Sequence, residues 1–324
     1  MRAGRARRPA RMCSIVRLME ERENLSVALW ATHLGTPLAG LDEWLSLVAA
    51  KMQRAAEAGA HVLVMPEYAA EHWLAFAPRG LALHEEIAWL ASLAEEALAG
   101  LSALPARYGV GLLAGTMPVP VAEGRDGGPP VVNRAHFLLP DGRVIEQDKL
   151  CLTPVEKNPE GWHLSSGDRI CIVHWRGLRV ATLVCLDIEL PALSARLAAH
   201  DVDIVLVPSM TETLAGYNRV FSCARARATE LLAAVAAVGC VGAVAMGAPR
   251  RPCVSGAAVY LPSDMGIGPD GVAVSIPPID SCDDAGPLVV APELPIARLR
   301  ELRRGAAEVW PGAWRDTHVD IVEM

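Results

Sequence analysis

A layered α/β fold is the reading this sequence favours, and three observations carry it. Apolar stretches with strand character alternate with stretches at helical spacing, once before residue 115 and again after residue 178. Strand pairs joined by tight-turn signals lie beside these units, so the sheets mix crossovers with hairpins. Hydrophobic residues make up 52% of the chain but aromatics only 5%, so Ala, Val and Leu must fill the core through many helix and strand faces. At 324 residues and 34.5 kDa, one large domain is the default. Two similar β-α-β halves would each bury one sheet face against helices and the other against the partner sheet.

The elements follow in order. Leu25 to Trp30 (LSVALW) is a short apolar run suited to a first buried strand. From Leu41 to Ala58, apolar residues at 41, 44, 45, 48, 52 and 55 have helical spacing, and Gly59 is a natural stop. His61 to Met65 then reads as a second strand, ending at Pro66. Sites gather beyond the carboxyl ends of strands so connected, and Glu67 stands there. A second helical region, about Leu83 to Leu104, precedes strand Val110 to Ala114, and the Gly/Pro-rich Val119 to Pro130 reads as a loop. Val131 to Leu139 and Arg143 to Gln147 flank Pro140-Asp141-Gly142, a hairpin signal, and Ile170 to Trp175 and Leu178 to Val184 form a second pair around Arg176-Gly177. After Cys185 come a helix (Ala192 to Ala199), a strand (Asp203 to Val207), a helix (about Arg219 to Val238) and a strand (Cys240 to Ala245). Gly256 to Leu261 and Val272 to Ile276 bracket a Pro269-Asp270-Gly271 turn, and Leu294 to Arg304 reads as the last helix. The domain is expected over 24–305, with a tail over 306–324 suited to an oligomer interface.

Composition narrows the function. A net charge of −7 with no basic stripe beyond the N-terminus argues against nucleic acid as a partner. Residues 1–23 carry five arginines in the first eleven positions and no apolar run of signal-peptide length, so they read as a disordered basic extension, with Met12 and Met19 as alternative starts. No stretch approaches the roughly 18 uninterrupted apolar residues of a membrane span, so a soluble protein is expected. Eight cysteines, at 13, 151, 171, 185, 223, 240, 253 and 282, show no C-x-x-C and no zinc-type spacing. They read as reduced thiols of a cytoplasmic protein, most of them buried as small hydrophobes. Nine histidines without an H-x-x-x-H pair leave no metal site to expect, and GDGGPP around Asp126 lacks the lysine and helix start of a phosphate loop. No cofactor is called for.

Three polar residues each follow or interrupt an apolar strand: Glu67 after HVLVMP, Lys149 in RVIEQDKLCLTP, and Cys185 in VATLVC. Each is costly to bury alone. Together they make chemistry: a lysine charge favours the cysteine thiolate, a glutamate takes the thiol proton, and the ammonium can hold the oxyanion formed when sulfur adds to a carbonyl. Taken singly, Glu67 reads as a loop residue, Lys149 as a surface charge and Cys185 as core. Spacing alone does not show that they meet.

The segments LVMPEY, DKLCLTPVE and VCLDIELP, in this order and with these separations, resemble the three signature blocks of the carbon-nitrogen hydrolase (nitrilase) superfamily. The resemblance covers roughly residues 25 to 305, including CARARATE (Cys223 to Glu230), which is similar to the family's arginine-rich helix. It implies a four-layer αββα sandwich with Glu67 as general base, Lys149 as oxyanion-stabilising cation and Cys185 as nucleophile. Glu156, in LTPVE, falls on a second glutamate that orients the lysine or assists proton transfer, and the Leu186 N–H is the second oxyanion donor. Leu186-Asp187 stands where amidase-like branches carry an aromatic residue and then Asp, and where true nitrilases carry Trp-Glu; Asp187 and Pro191 therefore lean toward the amidase side. The resemblance also implies a homodimer or larger even-numbered assembly, paired through helices beside the nucleophile.

Tyr68, Trp73, Trp162 and Asp187 are candidates for the substrate pocket, with His72 and Trp73 forming a lip and Trp162-His163 on a covering loop, although packing on the protein body explains the lip residues as well. Arg225 and Arg227, two apart, do not share a helix face, and structural pairing is the simpler role for each. The expected activity is hydrolysis of a small linear amide or carbamoyl compound, releasing ammonia or an amine. A nitrilase making acid from a nitrile is the alternative within the same chemistry, and a non-catalytic binding or assembly module is the alternative outside it.

Overall fold

The computed structural model describes residues 24–244, 251–308 and 318–323. The expected basic extension at 1–23, Ala245 at the end of one expected strand, and most of the tail lie outside them. Strand β1 (Leu25–Trp30) lies parallel to β2 (Val62–Val64), which lies parallel to β3 (Gly111–Pro120). Helix α1 (Leu41–Glu57) makes the first crossover, and α2 (Leu83–Leu101) with α3 (Leu104–Tyr108) makes the second. Hairpin strands β4 (Val131–Leu138) and β5 (Val144–Asp148) extend this sheet antiparallel, and β12 (Leu288–Leu294) closes its other edge against β1, giving the order β12-β1-β2-β3-β4-β5. The second sheet mirrors the plan. β7 (Leu178–Thr182), β8 (Ile204–Ser209) and β9 (Ala234–Gly239) are parallel, with β6 (Ile172–Trp175) on one side and β10 (Ser255–Tyr260) and β11 (Val272–Ile279) on the other. Helices α6 (Pro191–Ala198) and α7 (Leu214–Leu231) make its crossovers.

Period-two alternation decides which way each strand faces. In the first sheet Ala28, Trp30, Leu63, Leu112 and Ala114 pack under α1 and α2, while Val27, Leu29, Val62, Val64 and Leu113 belong to the core shared with the second sheet. Phe137 of β4 meets Trp175 of β6 edge-on at 5.6 Å across that core. On the far side Val220, Phe221, Ala224 and Ala228 of α7 cover the second sheet. This is the expected αββα sandwich. The helical run Leu83–Tyr108 has the length and apolar composition of a membrane span, but Ile87, Leu90, Ala94, Ala97 and Leu101 along it are buried in the core over β3.

Four elements differ from expectation. The helix expected over 219–238 ends at Leu231, with Leu232 at φ 46°, and Ala234–Gly239 is a strand. AAVAAVG reads as helix by propensity, yet fully buried between β8 and β10 it needs small side chains on both faces. Strand β3 runs on to Pro120 through residues read as loop. Strand β12 was unforeseen; Pro292 is tolerated because β12 is an edge strand. The last helix starts at Ile296 (α8, Ile296–Glu301) rather than Leu294, which belongs to β12.

Candidate active site

Glu67 follows β2, Cys185 follows β7 and Lys149 follows β5, so three strand ends from two sheets deliver the three groups to one place. Two of these turns are strained. Tyr68, next to Glu67, has φ 49°, and Cys185 itself has φ 48° and ψ −104°. Non-glycine residues held there cost about 1–3 kcal/mol each and persist only where the surroundings enforce them. The enforcement is visible. Cys185 N–H donates to Pro208 O at 2.9 Å, and Tyr68 N–H donates to Thr116 Oγ1 at 2.8 Å. Short helix α5 (Leu186–Glu189) begins directly after the cysteine. As its first residue, Leu186 has an N–H with no intrahelical acceptor, and Leu186 lines the cavity over Cys185.

Lys149 Nζ donates to Glu67 Oε1 at 2.8 Å and to both carboxylate oxygens of Glu156 at 2.8 Å. Lysine and glutamates are each only 2% exposed as side chains. Glu156 is fixed in turn by the Tyr68 hydroxyl at 2.8 Å and the Thr153 N–H at 2.8 Å, the latter as half of a capping box on helix α4 (Pro154–Lys157). Asn133 Nδ2 donates to Glu67 Oε1 at 3.0 Å, and Cys240 Sγ donates to the Glu67 carbonyl at 3.3 Å. A cavity of about 300 Å³ opens over this network, with Cys185, Tyr68 and Trp162 in its lining.

Electrostatics suits proton transfer. Burial lifts the Glu67 carboxyl to about 7, against the pull of Lys149. Burial also works against the Lys149 charge, but Glu67 and Glu156 outweigh it and hold the ammonium above its usual range. The Cys185 thiol is pushed well up by burial and then by the Glu67 charge, with Lys149 opposing. A thiol that keeps its proton beside a carboxyl poised near neutrality, with a permanent cation 2.8 Å from that carboxyl, is equipped to pass one proton and to hold one new negative charge. Among the described residues no group of His, Cys, Asp or Glu is placed to hold a metal.

Residues 26–304 match the family model described as carbon-nitrogen hydrolase. The chain belongs to the carbon-nitrogen hydrolase family. Among curated relatives of this family member, the probable hydrolase YhcX of Bacillus subtilis is 30% identical over 52% of the chain and 31% of its own length. An (R)-stereoselective amidase of a Pseudomonas species is 36% identical over 31% of the chain and 36% of its own length. The chain thus spans about a third of each of these two proteins. The omega-amidase YafV of Escherichia coli is 26% identical over 88% of the chain and 95% of its own length. In structure, an amidase from Nesterenkonia sp. superposes with a TM-score of 0.62 at 22% identity, covering 86% of this chain and 95% of its own. A mutant of the Nesterenkonia sp. AN1 amidase, showing covalent addition of the acetamide moiety of fluoroacetamide at its active site cysteine, gives a TM-score of 0.61 at 22% identity, covering 87% and 96%.

Glu67, Lys149, Glu156 and Cys185 are brought together, with Leu186, Tyr68 and Trp162 beside them. Trp162 meets Tyr68 edge-on at 4.4 Å. Two pocket expectations are corrected. Trp73 is fully buried against Trp44, 5.2 Å away, and His72 beside it donates from Nε2 to Thr36 O, so neither forms a lip. Asp187 is fully buried as well; its carboxylate accepts the N–H groups of Cys151 (2.8 Å), Val184 (3.1 Å) and Leu150 (3.3 Å). It ties the lysine segment to the nucleophile turn and does not face substrate. Arg227 bonds the carbonyls of Ile188 and Glu189 and the Glu230 carboxylate, while Arg225 bonds the Asp270 carbonyl, the separate structural pairings expected. Asn133, Thr116, Cys240 and Met210, whose carbonyl accepts from Cys185 Sγ at 3.5 Å, are the supporting residues that sequence reasoning missed. Only Asn133 left a signal, as an amide inside the apolar run VVNRAHF. None of the seven cysteines within the described residues is in a disulfide.

Proposed function

We propose that this carbon-nitrogen hydrolase is a cysteine amidase that cleaves a small linear amide or carbamoyl compound through a thioester. The observation that carries the proposal is the buried Glu67–Lys149–Glu156 network set against a strained cysteine turn. Ionised Glu67 takes the proton from Cys185 as sulfur adds to the carbonyl carbon. Lys149 Nζ and the Leu186 N–H receive the oxyanion, and Glu67 returns the proton to the departing nitrogen, so ammonia leaves and the acyl group stays on sulfur. Water then enters, gives a proton to Glu67 and attacks the thioester; collapse expels the thiolate, which recovers the proton. A cavity of about 300 Å³ is at the small end for ligand sites and suits a short substrate. Relatives named amidases support amides over nitriles.

The test is ammonia release from a panel of short amides and carbamoyl compounds, with and without Cys185→Ala, and mass spectrometry of the enzyme during turnover. Hydrolysis lost in Cys185→Ala, with an acyl adduct on Cys185 in the wild type, is the expected result. Turnover that survives Cys185→Ala overturns the covalent route, and acid formed from nitriles but not from amides overturns the amidase reading.

A further inference from the structure

The floor of the cavity performs the same chemistry on any amide, so the far end of the substrate is chosen by the mouth. Three charged residues line it: Glu189 at the end of α5, Glu212 before α7 and Arg219 on α7. Arg219 Nε donates to Glu189 Oε2 at 3.0 Å, so these two charges offset each other, and the arginine is 65% exposed to screening solvent. Glu212 has neither an ion pair nor a hydrogen bond within the described residues. The neighbouring hydroxyls are engaged: Thr211 Oγ1 donates to Val254 O at 2.7 Å and Thr213 Oγ1 accepts from the Gly216 N–H at 3.0 Å. Among the described residues the mouth therefore retains one uncompensated negative charge. The floor adds another when Glu67 is ionised, since Glu67 and Glu156 together face Lys149 alone. The lining also includes Val155, Leu186 and Val220, apolar side chains suited to the methylenes of a linear substrate.

We infer that the cavity selects linear amides whose far end carries a positive charge, an ω-amino amide or its carbamoyl counterpart, with Glu212 receiving the ammonium. An ammonium brings three donors and a unit charge to an end of the cavity that offers an open acceptor. A substrate ending in a carboxylate enters against the charge of both floor and mouth. The inference rests on the amidase reading for its chemistry but not for its binding, and the two are tested apart.

Three probes of similar length isolate the charge: γ-aminobutyramide (cationic), valeramide (neutral) and glutaramate (anionic). The expected result is a kcat/KM for the cationic amide above that for the neutral one by about fivefold, the size of a partly exposed charge pair, with the anionic amide last. Salt should shrink the preference. Glu212→Gln should bring the cationic-to-neutral ratio toward one, and Glu212→Lys should reverse it. Equilibrium binding of the three probes to Cys185→Ala gives the same ranking without turnover, so a failure of the chemistry leaves this readout intact. Equal binding of cationic and neutral amides, a ratio unmoved by Glu212→Gln, or tightest binding of glutaramate with loss in Arg219→Ala would each overturn the inference; the last result would make Arg219 a carboxylate receptor instead.

Discussion

Glu156→Gln probes the network most sharply, because it keeps the shape of the side chain and removes one charge. In the native protein both Glu156 oxygens hold Lys149 Nζ at 2.8 Å, and Glu67 Oε1 lies at the same distance from that nitrogen. The two carboxylates are therefore at most about 5.6 Å apart, twice the 2.8 Å bond length. At that separation two like charges repel by roughly 3 kcal/mol with an effective dielectric constant near 20, equivalent to about two pH units. The Glu156 charge is among the causes that raise Glu67 to about 7, after burial. Removing it lowers the Glu67 pKa. Glu67 acts as a base when ionised, so kcat/KM of the wild type rises with pH through about 7. In Glu156→Gln that rise should move to lower pH by roughly one to two units. The plateau should also fall about 100-fold, since Lys149 loses its second carboxylate and the oxyanion donor is no longer held in place. Loss of a buried charge-assisted bond adds about 2–3 kcal/mol of destabilisation, or about 3–4 °C in Tm for a chain of this size. The assay is a pH series of ammonia release with calorimetry on the same preparation. An acidic limb that stays in place or moves upward refutes the charge coupling, and unchanged activity with unchanged Tm refutes the view that Glu156 holds the lysine.

Lys149→Met leaves two buried carboxyls without a cation and should cost about 3–5 kcal/mol at pH 7. The loss should be smaller at pH 5, because Glu67, which burial already raises to about 7 against the pull of Lys149, then keeps a proton in the folded state that the unfolded state releases as pH rises; urea unfolding at both values decides it. Trp73→Ala should lower stability by about 3–5 kcal/mol with KM unchanged for the folded fraction, whereas Trp162→Ala should raise KM several-fold with little change in Tm; the reverse pattern would return Trp73 to the pocket. Gly115→Ala should reduce kcat about tenfold or more. Gly115 has φ 70°, and an added Cβ would sit 2.1 Å from the carbonyl of Pro66, pushing on the residue that precedes Glu67.

How much of this was legible in the sequence varies by element. β1 and the hairpin strands β4 and β5 could be read because alternation or turn residues announce them locally. β9 could not, because AAVAAVG carries helix propensity and becomes a strand only between β8 and β10. The bulge that carries Thr116 to the Tyr68 N–H was equally silent, since the register shift between Leu113 and Thr116 is a property of paired strands.

The sequence by itself determined the chemical parts: a carboxylate, an ammonium and a thiol at the ends of apolar strands, with Glu156 three residues after Thr153 in a capping box. Each of those signals is local, a residue type set against its immediate neighbours. Tertiary structure decided which of them meet and what they become. Glu67 and Lys149 are 82 positions apart and share a bond of 2.8 Å, and Asp187 and Trp73, read as pocket residues, turned out to serve the scaffold. Pairing, burial and the pKa values that burial sets depend on the whole sandwich around a residue. No window along the chain contains that information.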